Sequence, residues 1–126
     1  MSYTRILTAD QLEKQYGFIL RQAIPVDRNG DVPRVAVFRE LNPYAPEQIF
    51  CSAVVKDGAE TLMRTGRATD VYVRLQENQW ADYGRWKAVS LDTSPANTKK
   101  ASNMTGRWDK SNHGPIWGIL QMERVP

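Results

Sequence analysis

The sequence predicts an α+β fold: an N-terminal helix packed on a mostly antiparallel, strongly curved sheet, or a small β-barrel, of about five to six strands. Three observations carry this. A helix-start signal stands at Thr8 ahead of apolar residues at helical spacing. A period-two run at 71–75 is followed by a polar reversal and a second apolar run, as in a hairpin. Further short strand-like runs recur from Arg34 to Val125, punctuated by turn residues. At 126 residues the chain fits one domain with one core.

In Leu7-Thr8-Ala9-Asp10-Gln11-Leu12, Thr8 caps the helix, Gln11 returns the capping-box bond, and Leu7 staples against Leu12. Leu12, Tyr16, Ile19, Leu20 and Ala23 then share one face, which predicts an amphipathic helix over residues 9–22 stopped by Pro25. Asp27-Arg28-Asn29-Gly30-Asp31 opens like a calcium loop. Val32 replaces the turn glycine that such a loop needs, and Phe38 stands where its bidentate glutamate should be, so an ordinary turn is expected.

Residues 34–39 read as a strand, 42–46 as a proline loop, and 48–55 as a second strand ended by the turn Lys56-Asp57-Gly58. Residues 59–67 fit either a short helix or a strand, with Gly66 turning the chain into the central hairpin. In that hairpin Val71, Val73 and Leu75 alternate with Tyr72 and Arg74. The apolar residues of the second run, 83–91, do not keep one parity, and Gly84 stands where a bulge would switch the face. Residues 92–114, poor in apolar side chains, read as a long mobile basic loop. The closing strand, 115–125, places Ile116, Leu120 and Met122 on one side and Trp117 and Ile119 on the other.

Composition narrows the function classes. The single Cys51 forms no internal disulfide, and its apolar flanks mark it as core, which points to a reducing, cytoplasmic setting. No apolar run reaches the roughly 18 residues of a membrane span, and no secretory signal opens the chain. With one histidine, one cysteine and no clustered metal ligands or phosphate-cradling glycine loop, the chain calls for no cofactor and no metal, and a non-enzymatic role ranks above catalysis. Residues 1–63 carry a net charge of −1 and residues 64–126 of +4, and all four tryptophans lie in the second part.

Val71, Val73 and Arg74, then Trp80, Tyr83-Gly84, Trp86 and Val89, resemble the strand pair of SRA-like and PUA-like β-barrel domains over residues 71–91. The resemblance implies recognition of DNA or RNA, in several such domains through a flipped modified base. On that expectation Arg74, Arg85, Lys87, Lys99, Lys100, Arg107 and Lys110 contact phosphate, while Trp80, Trp86 or Trp108 stacks, exposed, on a base. The alternative is a small accessory protein, as a monomer or an oligomer, whose tryptophans form a protein interface or a small-ligand pocket.

Overall fold

A computed structural model describes residues 5–16, 24–105 and 114–126. The fold is α+β, built on a curled mixed sheet with, among the described residues, three helices. In chain order the elements are β1 (Arg5–Leu7), α1 (Ala9–Tyr16), β2 (Arg34–Phe38), β3 (Gln48–Ser52), a single 3-10 turn (Ala53–Val55), α2 (Lys56–Thr65), β4 (Thr69–Gln76), β5 (Gln79–Asp92), α3 (Pro95–Thr105) and β6 (Ile116–Arg124). The strands run β2-β4-β5-β6-β3 across the sheet, and β1 pairs with the first residues of β5. All pairings are antiparallel except β2 with β4. No pairing joins β2 to β3 among the described residues, so the strand path is open. Among the described residues no helix is long and apolar enough to cross a membrane.

The capping box forms. The Thr8 amide donates to Gln11 Oε1 at 2.8 Å, and the Gln11 amide donates to Thr8 Oγ1 at 3.2 Å. Leu7 and Leu12 are both buried, in one cluster with Ala36, Tyr72 and Trp80. The Ala9 amide, another donor that the first turn of a helix leaves unpaired, reaches Asn78 Oδ1 at 3.0 Å in the β4–β5 turn. The part of the expected helix beyond Tyr16 lies outside the described residues.

The hairpin β4–β5 turns through Glu77 and Asn78, and Asn78 takes the left-handed conformation that asparagine tolerates. Asp70 pairs with Arg85 but Tyr72 with Asp82, so β5 carries one extra residue at Tyr83–Gly84. Gly84 has φ +86°, which a side chain rarely adopts. The face switch expected at Gly84 is therefore present. A second extra residue, Val89, lies between the pairs Ala88–Met122 and Ser90–Gln121. In β6 a third, Trp117, lies between the pairs of Gly118 with Cys51 and Ile116 with Ser52. This last bulge corrects the expected parity: Ile116 packs with Ile119, Phe50, Leu41 and Ala101, while Leu120 and Met122 face the main core.

Two further expectations are overturned. Lys56-Asp57-Gly58 is the first turn of α2 and ends no hairpin strand. Gly58 is there for closeness, since a Cβ on it would lie 2.0 Å from the Ile24 carbonyl oxygen. Residues 95–105 form a helix instead of a loop. Their inward residues Thr98 and Ala101 are small, which hides the helical period, but Ser94-Pro95 is a good start: the Ser94 carbonyl accepts from the Asn97 and Thr98 amides, and proline suits the first helical position.

The main core joins Val35, Val37, Ile49, Cys51, Val71, Val73, Trp86, Leu120 and Met122 from the sheet with Val55, Ala59 and Leu62 from the α2 region. Burial pushes the Cys51 thiol up to about 12, so the thiol stays protonated and inert at neutral pH. Replacing Thr8 with alanine removes one half of the capping box, and we expect a loss of about 1 kcal/mol in chemical denaturation. A change below about 0.3 kcal/mol would show that the box contributes nothing to stability.

Candidate binding cleft

The bulges at Gly84 and Val89 decide what β5 presents on each side. Its residues Trp86 and Ala88 enter the main core, and Trp80 enters the smaller cluster around Leu12. Arg85 and Lys87 are exposed between them, and further along Ser90 and Asp92 reach a cleft beneath α3.

The cleft is built on sheet register. One row crosses three strands as Gln48, Gln121 and Ser90, and the next as Phe50, Ile119 and Asp92. From α3, Asn97, Lys100 and Ala101 complete a space of about 330 Å³. Phe50, Ile119 and Ala101 belong to one apolar cluster, so the floor is greasy. The remaining lining residues supply amide, hydroxyl, ammonium and carboxylate groups. The buried Asn42 side chain fixes Phe50, because its Oδ1 accepts from the Phe50 amide at 2.7 Å while its Nδ2 donates to the Phe38 carbonyl at 3.3 Å.

Asp92 holds the mouth of the cleft. Its Oδ1 accepts from the Ser94 amide at 2.9 Å and its Oδ2 from Asn97 Nδ2 at 2.6 Å. The Ser94 amide first, and the Asn97 side chain second, keep the Asp92 carboxyl below its usual range. An ionised carboxylate at a helix start is also favoured by the helix dipole. Held ionised and already accepting two hydrogen bonds, this group suits anchoring better than proton transfer near neutral pH. Among the described residues no group of His, Cys, Asp and Glu is arranged to hold a metal ion.

Of the residues expected to bind nucleic acid, the described ones do not all reach the surface. Trp80 is 1 % exposed and Trp86 6 %, so neither offers a face for stacking, and the expectation that they are exposed is wrong. Each large ring contributes more by leaving water for the core than by standing in it. Trp117 is half-buried, with Lys56 Nζ 5.6 Å from its ring centroid. Arg74 is half-buried, its guanidinium 5.3 Å from the centre of the Phe38 ring. Arg85 stands opposite Asp70, and Lys87 opposite Glu123. Lys99 and Lys100 are exposed on α3. Arg107, Trp108 and Lys110 lie outside the described residues. Gln48, Phe50, Asn97 and Gln121, which line the cleft, carry no signal in the sequence, since polar strand residues usually just face water.

No protein-family model matches this chain, and neither the curated proteins nor the solved structures contain a significant match.

The Asp92 anchor has a pH signature. A carboxyl lowered on folding stabilises the native state fully above its unfolded value, about 3.9, and that contribution disappears as pH falls through the lower folded value. In an NMR acid titration the Asp92 carboxyl should protonate below the ordinary aspartate value of about 3.9, and the Ser94 and Asn97 signals should move with it. Titration of Asp92 at or above the ordinary value would contradict the anchoring role.

Proposed function

We propose that this chain is a non-enzymatic binding protein whose ligand, a small polar molecule with an apolar face, lies in the cleft between α3 and the sheet. The observation that carries this reading is the pair of in-register rows, Gln48–Gln121–Ser90 above Phe50–Ile119–Asp92, roofed by Asn97 and Lys100. An apolar floor rimmed by a few convergent polar groups is the usual make-up of a small-molecule site, since burial supplies affinity and the polar groups supply orientation. The cleft is bordered by three strands, β3, β5 and β6, paired in register.

A second reading, nucleic-acid binding, is supported by the exposed Lys99 and Lys100 on the helix that leads towards Arg107, Trp108 and Lys110. The resemblance to SRA-like and PUA-like domains at 71–91 favours the same reading. It ranks second because Trp80 and Trp86 are buried and because Arg85 and Lys87 each face a carboxylate across the sheet, which tempers their pull on phosphate.

One set of measurements separates the two. Amide shifts are followed while a library of small polar fragments is added, and binding to single- and double-stranded DNA and RNA is measured over a salt series. Fragment-induced shifts confined to Gln48, Ser90, Asn97, Lys100 and Gln121, and abolished by Asn97→Ala, are expected on the first reading. Nucleic-acid binding whose salt slope falls by about 1 to 2 units in the Lys99→Ala, Lys100→Ala double variant is expected on the second. Neither response at any position would remove both.

A further inference from the structure

A groove of about 570 Å³ runs beside α2, lined by Glu60, Met63 and Arg64 from the helix and Leu91 from β5. Ala59 and Leu62 are the inward residues of α2, so Glu60, Met63 and Arg64, at steps of three and four, share its outer flank. Met63 and Leu91 are half-buried: both pack against the main core and both line the groove.

The two charges on this flank are uncommitted. Glu60 and Arg64 are exposed and stand one turn apart, in the order that favours pairing within a helix. Yet neither side chain has an ion-pair or hydrogen-bond partner among the described residues. Lys56, one turn before Glu60, is engaged elsewhere, its Nζ 5.6 Å from the centre of the Trp117 ring. The flank therefore offers two apolar side chains together with one free negative and one free positive group.

This arrangement restricts what covers it. Apolar surface gains by leaving water, but a partner of one charge sign is opposed at one end of the flank. A fitting partner carries a positive group for Glu60 and a negative group for Arg64, in reversed order about an apolar residue. A second copy of the same flank meets that condition by symmetry alone. A two-fold axis beside Met63 sets residue i against j and j against i, so Glu60 of each copy faces Arg64 of the other and Met63 faces Met63. The unbranched thioether side chain adapts well to such a self-contact.

We propose that this flank of α2 is a two-fold interface between copies of this chain. The helix is only about 15 Å long, and a stable interface buries roughly 1,200–2,000 Å², so the dimer is weak and reversible. Its face of the sheet is the one where Ala59 and Leu62 meet Ile49 and Cys51, whereas the cleft beneath α3 lies over Phe50 and Ile119 on the opposite face. Pairing through α2 leaves that cleft open, so the interface is independent of the ligand proposed for it.

Sedimentation velocity of the full chain over a concentration series tests this. A monomer that gives way to a dimer as concentration rises is expected, with the dimer loosened by added salt. Glu60→Arg and Arg64→Glu each set like charges against one another across the axis, and each should weaken the dimer about tenfold or more. Because both positions are exposed, the melting temperature of each variant should stay at the wild-type value. An equimolar mixture of the two variants restores both opposite-charge pairs in a heterodimer and should sediment as the wild type does. A single monomer species up to about 1 mM protein would overturn the proposal and leave the groove to a different protein. Variants that dimerise like the wild type, or a mixture that stays monomeric, would overturn it as well. Lys100→Ala should leave the dimer unchanged, and a loss there would place the contact on α3 instead.

Discussion

The architecture depends on one extra residue in the middle of β5. Trp80 and Trp86 are six positions apart, and in a regular strand they would project to the same side. The bulge at Tyr83–Gly84 reverses the parity between them, sending Trp80 to the cluster around Leu12 and Trp86 to the main core. One strand thus supplies a large aromatic to each of two apolar clusters. The Asp82 side chain braces the bend by accepting from the Gly84 amide at 2.9 Å. Were β5 regular, both rings would project to one side and the cluster on the other would lose its largest member. The second bulge, at Val89, restores the pairing that brings Ser90 and Asp92 into line with Gln121 and Ile119. The cleft beneath α3 therefore inherits its rows from irregularities upstream in the same strand.

How much of this was legible follows from where the determining interactions sit. The capping box at Thr8, the Glu77–Asn78 reversal and the Gly84 bulge are local, with cause and effect within a few residues, and the sequence carries them openly. The α2 start was misread because Lys56-Asp57-Gly58 has the composition of a turn, whereas Gly58 is required by the Ile24 carbonyl more than thirty positions earlier. The helix at 95–105 was missed because Thr98 and Ala101, its inward face, are too small to register as an apolar stripe. Whether a tryptophan is core or surface is likewise a question of partners, and Leu12 or Met122 does not announce itself from Trp80 or Trp86. The cleft was illegible for the same reason: its rows exist only when β3, β5 and β6 lie side by side.

Electrostatics repeats the lesson. The excess of positive charge in the second half of the sequence suggested a basic face. Folding distributes that excess. Arg85 and Lys87 stand opposite carboxylates in neighbouring strands, Arg5 pairs with Asp82 at 3.3 Å, and Arg67 pairs with Asp31. Exposed pairs of this kind add little to stability, but they cancel the field that a phosphate backbone would sense. On α3, Lys99 and Lys100 follow each other, exposed.

The edge strand β3 has its partner far away in the chain. Among the described residues β6 is its one strand partner, so Ile49 must wait for Leu120 and Phe50 for Ile119. During synthesis the first four strands and α2 leave the ribosome before that partner exists, and β3 with its apolar Ile49, Phe50 and Cys51 has nothing to pair with. The segment from Arg39 to Ala68 that links the parallel strands β2 and β4 contains β3, so docking of β2 on β4 closes a long loop without placing it. Assembly of such a sheet is governed by distant contacts and so belongs to the slow end of folding for a chain of this size. A chain in which β6 has not yet docked presents a bare β3 edge, the kind of surface on which unfinished sheets associate.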